Sequence, residues 1–196
     1  MSVRASRVAG LLLAAGEGSR LGTPKALVEH EGERLVDRGV RLLEEGGCHP
    51  VVVVVGAATV QVRGAVVVRN PGWRSGMGSS LRVGLAALPE QAEAVVVALV
   101  DQPFVGPEAV RALVASGARL AVATYGGRRR NPVLLSRADF AEVARLAVGD
   151  VGARPFIKAH PELVTEVPCD GLGDPADIDT PADLGRLTGE GRSSAD

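Results

Sequence analysis

Apolar and polar positions follow two periods along this chain, and the two alternate. Val8 to Leu13, Val51 to Val55, Ala65 to Val68 and Ala94 to Val100 are short apolar runs, one of them an unbroken stretch of valine. Continuous β-branched runs of this length predict parallel strands covered on both faces. Between the first two, Leu35, Val36, Gly39, Val40 and Leu43 recur at helical spacing, and Gly46-Gly47 closes that helix. Leu81, Leu85 and Leu88 mark a second helix stopped by Pro89. Pro107 opens a third, which carries Val110, Leu113 and Val114. Leu120 to Thr124 predicts a fifth strand and Asn131 to Leu135 a sixth. The turn between them, Gly126 to Arg130, is too short for a helical crossover, so that pair is expected to be antiparallel. Ser136 to Asp139 reads as a capping box that opens a helix through Phe140, Val143 and Ala147. Thr180 to Asp183 repeats the device ahead of Leu184 and Leu187, and the polar tail from Gly189 reads as frayed. The fold expected is a three-layer α/β sandwich. Its Rossmann-like sheet is mostly parallel with one antiparallel strand, and ligands sit at the carboxyl ends of the strands.

Composition narrows the partners. A length of 196 residues predicts one domain, residues 1–196, with its core over about 8–187. With 46% hydrophobic and 23% charged residues the chain is globular. A net charge of −1, with no basic run beyond Arg128-Arg129-Arg130, argues against a nucleic-acid partner. That triplet reads as a solvated turn. Aromatic residues, at 3%, leave few platforms for stacked bases. Cys48 and Cys169 form no CxxC, and His30, His49 and His160 add no metal-ligand spacing, so both cysteines read as packing residues. No signal peptide and no run of membrane length is visible, and the expectation is a cytoplasmic protein without a membrane contact.

The candidate chemistry begins where the first strand ends. Leu13-Ala14-Ala15-Gly16-Glu17-Gly18-Ser19-Arg20-Leu21-Gly22-Thr23-Pro24-Lys25 places glycines at a strand-to-loop junction, where backbone N–H groups can turn toward an anion. Arg20 and Lys25 add two fixed cations, and together these groups describe a polyphosphate site. The dinucleotide fingerprint needs a third glycine where Leu21 stands, and the ATPase loop needs Gly-Lys-Ser/Thr around Lys25. Neither fits.

Three further segments support a phosphate site. Asp101 directly follows the Ala94 to Val100 strand and precedes Gln102-Pro103, so a hard oxygen ligand suited to Mg²⁺ stands at a central strand end. Asp177 and Asp179, in Asp-Ile-Asp-Thr-Pro, would point the same way under strand alternation and are candidate metal ligands. The alternative for both is favourable charge at a helix N-terminus. Gly76, Gly78, Ser79 and Ser80 open the Leu81 helix and offer amides and hydroxyls to a base, ribose or phosphate. Trp73 reads as a packing residue or lid.

The first loop, Gly76 to Leu81, Asp101-Gln102-Pro103, Asn131-Pro132-Val133, Gly149 to Arg154 and Asp177 to Pro181 occur in an order that resembles the molybdenum cofactor nucleotidyltransferases. Ala15 and Gln102 are similar to the cytidylyltransferase branch, whereas Gly18 and Leu21 depart from it, standing where that branch commonly has serine and phenylalanine. The resemblance implies a fold of the nucleotide-diphospho-sugar transferase type. It implies Mg²⁺-dependent transfer of CMP from CTP to the phosphate of molybdopterin, with release of pyrophosphate. Leu13, Ala14, Ala15, Gly16, Gly18, Lys25, Gly76, Ser79, Ser80 and Asp101 would bind the nucleotide, with Arg20 along the β- and γ-phosphates. Arg20, Lys25 and Asp101 would be catalytic. Asp101, Asp179 and Asp177 would hold the metal, and Asp150 and Arg154 the acceptor. Contact with a molybdoenzyme or its chaperone belongs to the same expectation. The alternatives are nucleotidyl transfer from CTP or GTP to a sugar phosphate or another phosphorylated metabolite, and a non-catalytic nucleotide-binding module.

Overall fold

The computed structural model describes residues 7–183; the expected positions of Leu184 and Leu187 and the tail from Gly189 lie outside them. After the first strand, β1 (Val8–Ala14), a small antiparallel hairpin of β2 (Glu29–His30) and β3 (Glu33–Arg34) stands apart from the main sheet. The sheet is completed by β4 (Val51–Val55), β5 (Ala65–Arg69), β6 (Ala94–Leu99), β7 (Leu120–Tyr125), β8 (Arg128–Ser136) and β9 (Val164–Pro168). Its order is β5-β4-β1-β6-β8-β7-β9. β8 runs against both of its neighbours, and every other pairing is parallel.

Alternation along β1 builds the three layers. Leu12 and Ala14 point to one face, where α1 (Leu35–Glu45) and, after α2 (Met77–Ala87), α3 (Pro107–Ala115) cover them. Leu11 and Leu13 point to the other, under α2, α4 (Phe140–Leu146) and α5 (Arg154–Ala159). The two faces carry separate apolar clusters, and Leu11 and Leu12 are both fully buried. Each central helix carries a glycine where it crosses β1. A Cβ on Gly39 would stand 2.7 Å from Leu12, and one on Gly84 would stand 2.4 Å from Leu11. Without them the helices could not settle at this distance.

Three local expectations need correction. The Arg128 to Arg130 segment is not a turn. It is the first part of β8, and Gly126 and Gly127, both at positive φ, make the turn alone. Ser136 Oγ accepts no capping hydrogen bond, and the Asp139 carboxylate that would complete the box accepts instead from the Arg119 guanidinium, whose Nε lies 2.9 Å away. The second box does form: Thr180 N–H donates to Asp183 Oδ2 at 2.8 Å, and Asp183 N–H returns to Thr180 Oγ1 at 3.3 Å. Residues 174–179 are not a strand, so alternation does not orient Asp177 and Asp179.

His160 follows α5 and joins it to α4. Its ring packs on Phe156 with centroids 4.7 Å apart, and its nitrogens face Glu142 and Glu162, each at 3.3 Å. The Glu142 carboxylate beside the ring raises its pKa, burial opposes this, and Glu162 adds to the rise. A histidine raised on folding contributes stability that is complete below its unfolded value near ~6.5 and is lost as pH climbs through the folded value. Urea midpoints should therefore fall more between about pH 6 and pH 8 in the parent than in His160→Gln. Parallel pH trends in the two proteins would show that the contacts contribute nothing.

Candidate active site

β1 and β6 end side by side at the middle of the sheet. Leu13 is level with Leu99, and Val100 N–H still donates to Leu13 O at 3.1 Å beyond the last paired residue. The glycine loop and Asp101 therefore leave the sheet at one place. Inside the loop Gly18 sits at φ +62°, and a Cβ there would lie 2.1 Å from Thr23 O. A serine here would be strained at this φ and would press its Cβ onto Thr23 O, so glycine suits the path this loop takes. The loop returns through Lys25, whose N–H donates to Gly16 O at 3.4 Å.

Lys25 Nζ donates to Asp101 Oδ2 and to Asp179 Oδ1, both at 2.7 Å. Burial on its own lowers the pKa of this ammonium. The charges and hydrogen bonds of Asp101 and Asp179 outweigh burial, so the net shift is upward and Lys25 stays protonated. The acidic segment is held in place by its backbone as well, since Ile178 N–H donates to Asp101 O at 2.7 Å and Ile178 is fully buried. Gln102 fixes the rest: its Nε2 donates to Asp177 Oδ1 at 2.8 Å and to Pro175 O at 3.1 Å. Asp177 has its pKa pushed up by burial, against the Gln102 hydrogen bond, with the negative charges of Asp101 and Asp179 adding to the rise. Asp177 and Asp179 thus reach the cleft through different partners.

Two cavities meet here. The smaller, about 440 Å³, is lined by Leu13, Ala15, Gly16, Lys25, Gly76, Ser80 and Asp101, together with Glu17, Trp73, Arg74 and Met77. The larger, about 810 Å³, is lined by Asp101, Gln102, Asp150, Arg154, Asp177 and Asp179, with Arg130 and Lys158 on its wall. Asp150 borders both. Ala14, Gly18 and Ser79 line neither, and Arg20 is exposed and lines neither. Ser79 is turned inward, its Oγ donating to Gly76 O at 2.8 Å. Among the described residues no group of three or more His, Cys, Asp or Glu is placed to hold a metal ion. The carboxylates of Asp101 and Asp179 meet as a pair, with the Lys25 ammonium between them.

Two contributors are not visible in the sequence. Asn70, 2% exposed, donates to Ser79 Oγ at 2.8 Å and Ser80 Oγ at 3.0 Å, while its Oδ1 accepts from Gly72 N–H at 2.9 Å. It pins the loop that leads into α2, and its only sequence signal is an Asn-Pro-Gly turn. The second is the close seat of residues 149–150 on the start of α2. Gly76 lies at φ +103°, a Cβ on it would stand 2.4 Å from the carbonyl carbon of Gly149, and Asp150 Oδ1 accepts from Met77 N–H at 3.1 Å. Asp150 is thereby a partner of the α2 N-terminus. Cys48 is buried and its thiol pushed up to about 12 by burial, which leaves it unreactive.

Residues 10–164 match the MobA-like NTP transferase domain. The nicotine blue oxidoreductase of Paenarthrobacter nicotinovorans is 37% identical over 92% of this chain and 96% of its own length. The molybdenum cofactor guanylyltransferase of Rhodobacter capsulatus is 31% identical over 96% of this chain and 99% of its own. Among solved structures, Rv0371c from Mycobacterium tuberculosis H37Rv superposes with a TM-score of 0.81 at 31% identity, covering 94% of this chain and 98% of that one. The same protein in complex with manganese gives 0.78 at 29% identity, covering 92% and 97%. Among the described residues no helix is long and apolar enough to cross a membrane. The match over most of the chain, the relatives and the shared architecture agree: this chain belongs to the MobA-like NTP transferase family and is a nucleotidyltransferase.

Proposed function

We propose that the chain transfers CMP from CTP to the phosphate of a molybdopterin-type acceptor and releases pyrophosphate. The observation that carries this reading is the Lys25 ammonium held between Asp101 and Asp179 where the two cavities meet. The smaller cavity suits the nucleotide, with its triphosphate against the glycine loop, and the larger suits the acceptor. Asp101 stands on both walls, where the α-phosphorus has to meet the incoming phosphate oxygen. Such a displacement asks the protein for in-line positioning and for neutralised charge on the transferring phosphoryl group and the departing pyrophosphate. Lys25 supplies the fixed positive charge, and the loop amides supply hydrogen-bond donors.

Mg²⁺ fits this donor set. Asp101 and Asp179 offer two hard carboxylates that already converge on one cation, and Mg²⁺ takes one or two carboxylates and fills its remaining positions with water and phosphate oxygens. Bound there, it would neutralise phosphate charge. The manganese complex of Rv0371c supports a divalent ion in the family. Asp177, tied to Gln102, would border the same ion.

CTP is favoured by Ala15, whose methyl lines the smaller cavity and narrows it for a purine. Gln102, the other residue shared with the cytidylyltransferase branch, lines the larger cavity. The guanylyltransferase relative favours GTP as the second donor. The oxidoreductase relative favours a redox reaction as a second reading, and the same assay decides, because only nucleotidyl transfer releases pyrophosphate as NTP is consumed.

With CTP, Mg²⁺ and molybdopterin, pyrophosphate release is expected. Asp101→Asn should lower it at least about a hundredfold in a protein that still melts cooperatively, since each ~1.4 kcal/mol of lost transition-state stabilisation is tenfold in rate. Activity within about threefold of the parent would remove Asp101 from the reacting centre. Lys25→Ala should lose kcat more than it raises the KM for nucleotide, because its charge matters most as negative charge develops. A change in KM alone would assign it to uniform binding. For the base, kcat/KM should favour CTP over GTP by about 10–200-fold, the range that one packing difference provides. Equal values would end the CTP assignment and leave nucleotidyl transfer standing.

A further inference from the structure

Lys25 and Arg74 are the cations on the wall of the smaller cavity. Lys25 is engaged by two carboxylates at 2.7 Å. Arg74 is held differently. Its Nη2 lies 4.0 Å from Glu17 Oε1, beyond hydrogen-bonding distance, and its side chain is 76% exposed. Its guanidinium lies over Trp73, with Cζ 4.4 Å from the ring centroid, so one face of the cation is backed by an aromatic surface.

The platform beneath it is rigid. Trp73 and Arg74 sit in a tight 3-10 turn, Trp73–Ser75, closed by Ser75 Oγ donating to Gly72 O at 2.8 Å and by Asn70 holding Gly72 N–H at 2.9 Å. Trp73 is seated against backbone at the end of β4: a Cβ on Gly56 would stand 2.5 Å from the Trp73 Cβ. A fixed base, a stacked planar cation and a loose carboxylate partner describe a guanidinium arranged to take a second anion. Its forked donors suit phosphate oxygens better than the single carboxylate it now faces.

We propose that Arg74 binds a phosphate of the nucleotide in the smaller cavity, exchanging Glu17 for that phosphate while Trp73 holds it in line. This rests on the nucleotide reading of that cavity. Arg20 of the first loop is exposed and lines neither cavity, so Arg74 and Lys25 are the cations that already face the smaller one. Glu17 competes for the same guanidinium and adds a negative charge to the cavity mouth, so it opposes nucleotide binding. Arg74 is a binding and positioning residue here, and the chemistry at the α-phosphorus stays with Lys25 and Asp101.

The test is calorimetric titration of the full chain with CTP, GTP, CMP and cytidine in the presence of Mg²⁺. Trp73 is the single tryptophan, so its fluorescence reports occupancy of this cavity in the same samples. Arg74→Gln should weaken CTP or GTP by about fivefold or more, the scale of one lost charged hydrogen bond, while cytidine changes less than about twofold. Arg74→Lys should recover part of the loss. Glu17→Gln should tighten the triphosphate by about two- to threefold. Equal affinity of parent and Arg74→Gln for the triphosphate would overturn the proposal and leave the nucleotide reading intact. An equal loss for cytidine and triphosphate would overturn it as well, since Arg74 would then shape the cavity and not bind phosphate. No binding of either triphosphate to the parent would overturn the nucleotide reading itself.

Discussion

The arrangement depends on one ammonium shared by two carboxylates. Lys25 reaches Asp101, 76 residues away in sequence, and Asp179, 154 residues away. It therefore joins the loop after β1, the end of β6 and the acidic segment near the end of the described chain. Two carboxylates this close repel each other without a cation between them, and leaving one buried charge unpaired is costlier than never placing it. The sheet does the rest. Because β1 and β6 are neighbours in register, their ends have no choice but to deliver the glycine loop and Asp101 together. Gln102 and Ile178 then set the acidic segment against them through one side chain and one backbone hydrogen bond. The carboxylate oxygens that Lys25 leaves free are where a divalent cation would add its charge beside the ammonium, which connects this pairing to the chemistry proposed for the site.

Much of the fold could be read because its central strands are buried on both faces and spell this out as uninterrupted valine, leucine and alanine. The parts that could not be read are those without such burial. β9 reads Val-Thr-Glu-Val-Pro at the edge of the sheet, with Thr165 and Glu166 exposed, so its pattern resembles a surface loop. The Arg128 to Arg130 part of β8 pairs with β7 only, since β6 meets β8 from Val133 onward. With one side unpaired, exposed arginines are tolerated in a strand. The capping box at Ser136 failed for a tertiary reason: Asp139 is 3% exposed and is claimed by Arg119, a partner that local spacing cannot reveal.

The candidate site divides in the same way. Asp101 and the glycine loop were legible because each stands at a strand end, where position gives direction, and Lys25 because it is a cation of that same loop. Asp179 was legible as a charge but not through the alternation that was meant to orient it. Arg20 is exposed and lines neither cavity whereas Arg74 lines the smaller one, a difference that no residue spacing announces because backbone turns decide where a loop cation stands. Asn70 works across a loop to Ser79 and Ser80, and no short spacing announces it.

The wall between the two cavities has a consequence of its own. Met77, Leu99, Asp101 and Asp150 face both compartments, and Asp150 is at the same time tied to the first free N–H of α2. A guest in either compartment changes the field and the packing around side chains that the other guest must also meet. Linkage then requires that each alter the other's affinity by the same factor, whichever arrives first. Asp150, shared by both walls and bonded to the start of α2, is the side chain through which such coupling would reach that helix.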